Sequence, residues 1–183
     1  MKILKNVLYT AATLAVLGVS LLIYDAAAIP SAGAVAPAFK GISNAGQRIA
    51  LADYRGKKNV VLVFYPKDFS PGCTRELCTF RDNEAELKRY DAVIVGVSYD
   101  DSASHADFVL EESFPFALIS DSDKSISKSY GTARFGGVIP FIKRVTIVID
   151  KTGVIRDVLH DEFSMEGHYR SALDALARIQ GGA

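Results

Sequence analysis

Two cysteines stand five residues apart in the stretch Pro66-Lys-Asp-Phe-Ser70-Pro-Gly-Cys73-Thr-Arg-Glu-Leu-Cys78, and the chain has no others. A reacting cysteine acts as its thiolate, and an ordinary thiol, with a pKa near ~8.5, is only slightly ionised at neutral pH. The first turn of a helix favours the thiolate, because its unpaired N–H groups and the positive end of the helix dipole face the sulfur. The surroundings of Cys73 predict such a turn. Val60 to Tyr65 is an unbroken apolar run, which reads as a short strand buried on both faces. Pro66, Pro71 and Gly72 stop that strand and force a loop. Beyond Cys73 the apolar residues Leu77, Phe80, Leu87 and Tyr90 recur at helical spacing. A cysteine at the mouth of a helix, directly off a buried strand, is where an α/β fold exposes chemistry. Ser70 can add a hydroxyl donor in the same loop. The competing reading, a small apolar core residue, is disfavoured by the polar, Pro/Gly-broken setting.

Pro66-x-x-x-Ser70-x-x-Cys73 resembles the active-site motif of peroxiredoxins, in which the fifth position is threonine or, less often, serine. Cys78, five residues after Cys73, is similar to the second cysteine of the PrxQ or bacterioferritin-comigratory-protein branch. The resemblance extends from Val35 to Ala177 through Pro37-Ala-Phe39, Gly96-Val-Ser98, Phe114-Pro-Phe116, Ser120-Asp121, Tyr130-Gly131 and Arg144 to Asp150. It implies a thioredoxin-like fold and reduction of hydrogen peroxide or organic hydroperoxides, without a cofactor. Cys73 would be the peroxidatic thiolate and Cys78 the resolving thiol, the two closing a redox disulfide. Ser70 and Arg144 would hydrogen-bond the peroxide oxygens and the thiolate, and Pro66 would keep water out. Glu76, well placed for the helix dipole on its own account, would also contact Arg144. A thioredoxin-like dithiol would be the reductant, and the branch sets the expectation of a monomer. Serine at position 70 lacks threonine's methyl, which predicts a slightly looser pocket. Phe135 to Pro140 is unusually apolar for the loop before the arginine.

The elements that must hold these residues follow from the rest of the chain. Strands alternating with helices, then a closing hairpin and helix, predict an α/β domain with a mixed central sheet flanked by helices. Phe39 to Leu51 reads as a hairpin around Asn44-Ala-Gly46, and Asp53 to Gly56 as a turn. Ala92 to Ser98 is a second buried strand, followed by a helix to Glu111 that Ser102 can cap. Phe116 to Ile119 is a short strand, and Asp123 can cap a two-turn helix ending at Gly131. Arg144 opens the strand Val145 to Ile149, which turns through Asp150 to Gly153 into Val154 to Leu159. In the last helix, Glu166 to Ile179, an apolar stripe of Tyr169, Leu173, Leu176 and Ile179 faces inward. His105 reads as a satisfied or solvent-facing residue, and His160 and His168 as surface residues.

Acidic and basic residues balance at 21 each, which removes any charge argument for nucleic acid or an anionic membrane surface. Two cysteines and three scattered histidines do not form a metal site of recognisable spacing. Lys2 and Lys5 precede an uncharged run from Val7 to Tyr24 and an Ala26-Ala-Ala28 end. Met1 to Ala28 therefore reads as a signal peptide or a retained membrane anchor. Either way the domain is exported, periplasmic or held at the membrane on its extracytoplasmic side. Ile29 to Ala36 reads as a linker, and residues 37–183 as the domain. Two other readings of the thiols compete. An exported thiol–disulfide oxidoreductase normally carries C-x-x-C, whereas this chain has four residues between its cysteines. A scaffold with a permanent disulfide after export is the non-enzymatic alternative.

Overall fold

The structure is a computed structural model and describes residues 28–134 and 140–182. The segment up to Ala27, read above as a signal peptide or anchor, and the apolar segment from Phe135 to Ile139 lie outside the described residues. Two strands, β1 (Lys40–Ser43) and β2 (Arg48–Ala50), form the expected hairpin at one edge of the sheet. Then come β3 (Asn59–Phe64), α1 (Pro71–Asp82), α2 (Glu84–Lys88), β4 (Ala92–Ser98) and α3 (Ser102–Glu112). The chain continues as β5 (Ala117–Ser120), α4 (Ser125–Ser129) and a small ribbon of β6 (Ala133–Arg134) and β7 (Phe141–Ile142). It closes with β8 (Val145–Ile149), β9 (Ile155–His160) and α5 (Met165–Gln180).

Seven strands form one mixed sheet in the order β2-β1-β5-β4-β3-β8-β9. β3 runs parallel to β4, and β4 parallel to β5, while β8 is antiparallel to β3. Every residue of β3 and β8 is buried, as their unbroken Val, Ile and Leu runs require of strands covered on both faces. Alternation then sorts the side chains. Val61, Val63 and Tyr65 pack with Leu77, Phe80, Phe108 and Leu176 from the helices on one face. Val60, Leu62 and Phe64 pack with Phe39, Ile126 and Tyr130 on the other. One detail of register matters for function. Phe64, the last residue of β3, pairs with Val145, the first of β8. The loop that leaves β3 and the residue that enters β8 are thereby neighbours.

Several local expectations are corrected. The helical run after Cys73 is two helices, broken at Asn83, whose side chain donates back to the Thr79 carbonyl at 2.9 Å. Asp101, not Ser102, caps α3, accepting from the Ser104 N–H at 2.9 Å. The helix before Gly131 is only five residues long, and its second and third N–H groups are met by Asp121, which accepts from Ile126 and Ser127. Asp123 accepts only from Ser125. Part of the stretch read as a linker is docked: Gly33 N donates to Ile155 O, Ala36 N to Gly153 O, and Val35 bridges Val154. The largest correction is His168, which is fully buried. The inward stripe of α5 is His168, Tyr169, Ala172, Ala175 and Leu176, with Leu173 and Ile179 at its rim. His105 is also fully buried, whereas His160 remains exposed.

Candidate active site

The loop from β3 to α1 is pinned from below. Tyr65 continues the strand, and its hydroxyl donates to Asp68 Oδ1 at 2.7 Å. Asp68 Oδ2 takes a second bond from Ser104 Oγ at 2.7 Å and lies 2.8 Å from His105 Nδ1. The Asp68 N–H donates to Asp100 Oδ2. Asp68 is thus a buried carboxylate with its lone pairs engaged, as a buried acid must be. Phe69 follows with φ at 57°, a left-handed conformation that an aromatic residue adopts only when its neighbours enforce it. Its ring meets Phe108 at 4.8 Å between centroids. Ser70 then stands at the N-cap with Pro71 opening α1, where proline's fixed φ suits the first turn and its missing N–H costs nothing.

Cys73 lies in that first turn with its side chain fully buried. Its polar flanks in the sequence do not expose it. What meets the sulfur instead is a cation: Arg144 Nη2 donates to Cys73 Sγ at 3.5 Å. Gly72 permits the approach, because a Cβ there would sit 3.2 Å from Arg144 Nη2 and 3.4 Å from Met165 Cε. The other arm of the guanidinium, Nη1, is bonded to Glu76 Oε2. Glu76 is one turn along α1 from Cys73, and both residues point at Arg144.

The charges are tightly coupled. Burial pushes the Glu76 carboxyl up to about 7, against the opposing pull of Arg144. Burial also works against the Arg144 charge, but the Glu76 carboxylate and the Cys73 sulfur outweigh it and hold the guanidinium above its ordinary value. His168 closes the group from α5, with Nδ1 3.6 Å from Glu76 Oε1. Its Nε2 lies 2.8 Å from the Asp161 carbonyl, and its Nδ1 lies 2.8 Å from Thr146 Oγ1. That geometry suits a neutral ring with the proton on Nε2. Burial and the nearby Arg144 push His168 below its usual range. Glu76 Oε1 and Arg144 Nε are buried without a hydrogen-bond partner.

The structure therefore joins Cys73, Glu76 and Arg144 directly. Ser70 and Pro66 border the same loop, both half-buried. The Ser70 hydroxyl donates to the Lys67 carbonyl at 2.9 Å, which leaves its lone pairs as the free hydrogen-bonding capacity. Cys78 sits farther along α1, half-buried, and both cysteines are free thiols. The Cys78 thiol donates to Glu112 Oε2 at 3.3 Å. Burial, and then that bond, raise it to about 11. Sequence reasoning missed Asp68, His105, Glu112 and His168. The α5 stripe alone could have flagged His168, four residues before Ala172 and eight before Leu176. Among the described residues, no group of three His, Cys, Asp or Glu side chains is placed to hold a metal.

Known proteins resemble this chain over most of its length. Residues 32–158 match the model of the AhpC/TSA family. The chain is 37% identical over 150 residues to a putative chloroplastic peroxiredoxin Q of Oryza sativa subsp. indica, covering 81% of this chain and 68% of that one. It is 38% identical over 148 residues to a putative peroxiredoxin bcp of Coxiella burnetii, covering 79% and 97%. Among solved structures, peroxidoxin BcpB of Mycobacterium tuberculosis superposes with a TM-score of 0.77 at 33% identity, covering 81% and 97%. A Xanthomonas campestris peroxiredoxin Q gives 0.70 at 28%, covering 76% and 89%.

Proposed function

The chain belongs to the AhpC/TSA family and is a thiol-dependent peroxidase of the peroxiredoxin Q and bcp type; on that premise we propose that Cys73 is the peroxidatic residue and Cys78 the resolving one. The supporting observation is the Arg144 guanidinium, which donates to the Cys73 sulfur while its other arm is held by Glu76. A cation fixed there stabilises negative charge on the sulfur before reaction and on the departing oxygen during it. The thiolate attacks the distal peroxide oxygen. A sulfur–oxygen bond forms, the oxygen–oxygen bond breaks, and the leaving oxygen departs as water or an alcohol once protonated. Cys73 is left as a sulfenic acid. The Cys78 sulfur then displaces that hydroxyl, which leaves as water with the thiol's proton, and a disulfide closes. An external dithiol of the thioredoxin type reopens it by exchange. The substrate class is hydrogen peroxide and organic hydroperoxides; a solved structure of a Xanthomonas campestris relative is described in terms of alkyl peroxide reduction.

Rapid mixing with peroxide tests the assignment. The wild-type protein consumes peroxide through many cycles when thioredoxin is supplied. Cys73→Ser abolishes consumption, and Cys78→Ser gives a single turnover that stops at the sulfenic acid. Insulin reduction by the wild type without any peroxide consumption would instead return the chain to the oxidoreductase reading. Export of the domain, on a cleaved or retained leader, belongs to the same proposal and rests on Lys2, Lys5, the uncharged run to Tyr24 and Ala26 to Ala28.

A further inference from the structure

The resolving thiol is tied to a second helix, and that helix takes no part in the peroxide chemistry. Glu112 is the last residue of α3, before the left-handed Ser113 that ends the helix. Its carboxylate accepts from the Cys78 thiol at 3.3 Å. Arg81, one turn along α1 from Cys78, donates to the Glu112 carbonyl at 2.6 Å and lies 3.6 Å from its carboxylate. The segment of α1 that carries Cys78 is therefore fastened to the end of α3 at two adjoining points.

These fastenings oppose the next step. In an intact helix, residues five apart point ~140° from each other with α-carbons roughly 8–9 Å apart, whereas a disulfide tolerates at most about 7 Å. The turn bearing Cys78 must leave α3 before the two sulfurs meet. We propose that Glu112 is a positioning residue that latches Cys78 in the folded helix and so sets the rate at which α1 opens for disulfide closure. The inference rests on Cys78 being the resolving thiol, as assigned above. The latch acts twice. It holds the thiol in place, and it keeps the proton on the sulfur, so that the nucleophile is released only as the helix opens. Slow opening lengthens the life of the Cys73 sulfenic acid, during which a second peroxide can carry it to the sulfinic acid. Glu112 thereby sets the balance between turnover and overoxidation.

Stopped-flow measurement of disulfide closure after a single peroxide pulse reads the latch directly. Glu112→Ala closes about fivefold faster than the wild type, the scale of the net worth of one ordinary hydrogen bond. Glu112→Gln, which keeps an acceptor but loses the charge, falls between the two. A separate measurement needs no peroxidase chemistry: alkylation of Cys78 across pH in the Cys73→Ser background. Among the described residues, the charged groups acting on that thiol are Arg81 and Asp82 from α1 and Glu112 from α3. Glu112→Ala moves the alkylation midpoint to lower pH and raises the rate at neutral pH. Equal closure rates in all three proteins would overturn the latch, and slower closure in Glu112→Ala would make Glu112 a required proton acceptor instead. Failure of the wild type to close any disulfide, with Cys78 alkylation still governed by residue 112, would locate the error in the assignment of Cys78, and the latch would fall with it.

Discussion

Glu76 and His168 face each other beside Arg144 with opposite proton preferences. Glu76 is raised to about 7 from an ordinary 4.5, so it favours the folded state while protonated. Its contribution is complete below ~4.5 and is lost as pH rises through about 7, about 3 kcal/mol in all. His168 is depressed by burial, so its contribution is complete above ~6.5 and is lost as the solution is acidified. In the wild type the two slopes oppose. Urea denaturation between pH 4.5 and 7.5 should separate them. Glu76→Gln, a neutral isostere of the protonated acid, should match the wild type near pH 4.5, and its stability should rise relative to the wild type as pH increases. His168→Gln should lose the decline toward acid. Parallel curves for the wild type and Glu76→Gln would show that the carboxyl does not titrate in this range. Arg144 was legible because a base beside an apolar strand has to be explained. His168 was not, because two of the five residues of its stripe are alanines and large apolar residues dominated the reading.

At the scale of elements, α1 is fixed at its start and, in the proposed cycle, must open in its middle. The loop before it is held by Asp68, which joins Tyr65, Ser104 and His105, so the opening is confined to the helix. Amide exchange on reduced and disulfide forms should record that boundary. Protection at Thr74 to Cys78 should be lost in the disulfide form, while Tyr65 to Asp68 should keep theirs. Equal protection of the helix in both forms would refute the opening. The strand, the loop and the helix start could be read from Val60 to Cys73, since proline, glycine and apolar runs are local signals. The clamp could not. Asp68 and His105 are 37 residues apart, and only the parallel pairing of β3 with β4 brings the start of α3 beneath the loop.

The whole molecule places Cys73 at one pole of the sheet and residues 33–36 at the other. Cys73 follows the C-terminal end of β3, beside Arg144 at the start of β8, while Gly33 to Ala36 are hydrogen-bonded at the turn that ends β8. For the exported form, protease added to intact cells of a two-membrane bacterium should leave the domain uncut. Opening the outer envelope alone should make it accessible. Digestion only after the inner membrane is breached would refute export. The mixed order of the sheet was expected from alternating strands and helices, and the docking of residues 33–36 was not, because Ala, Pro, Gly and Ser carry no apolar pattern to announce a partner.

Arg144 has one further consequence. Its two hydrogen-bonded arms both end on α1, at Cys73 and Glu76, so in the proposed cycle a helix that opens between the two cysteines draws Glu76 away from it. The oxidised form of that cycle would hold a guanidinium deprived of its counter-charge, a state that costs about 3–5 kcal/mol if the site stays buried. At ~30 mV per 1.4 kcal/mol for a two-electron couple, that disulfide would be a stronger oxidant by roughly 60–110 mV than the same bridge with no arginine beside it. The donor dithiol thus works with the protein, because reduction restores the ion pair that oxidation took apart.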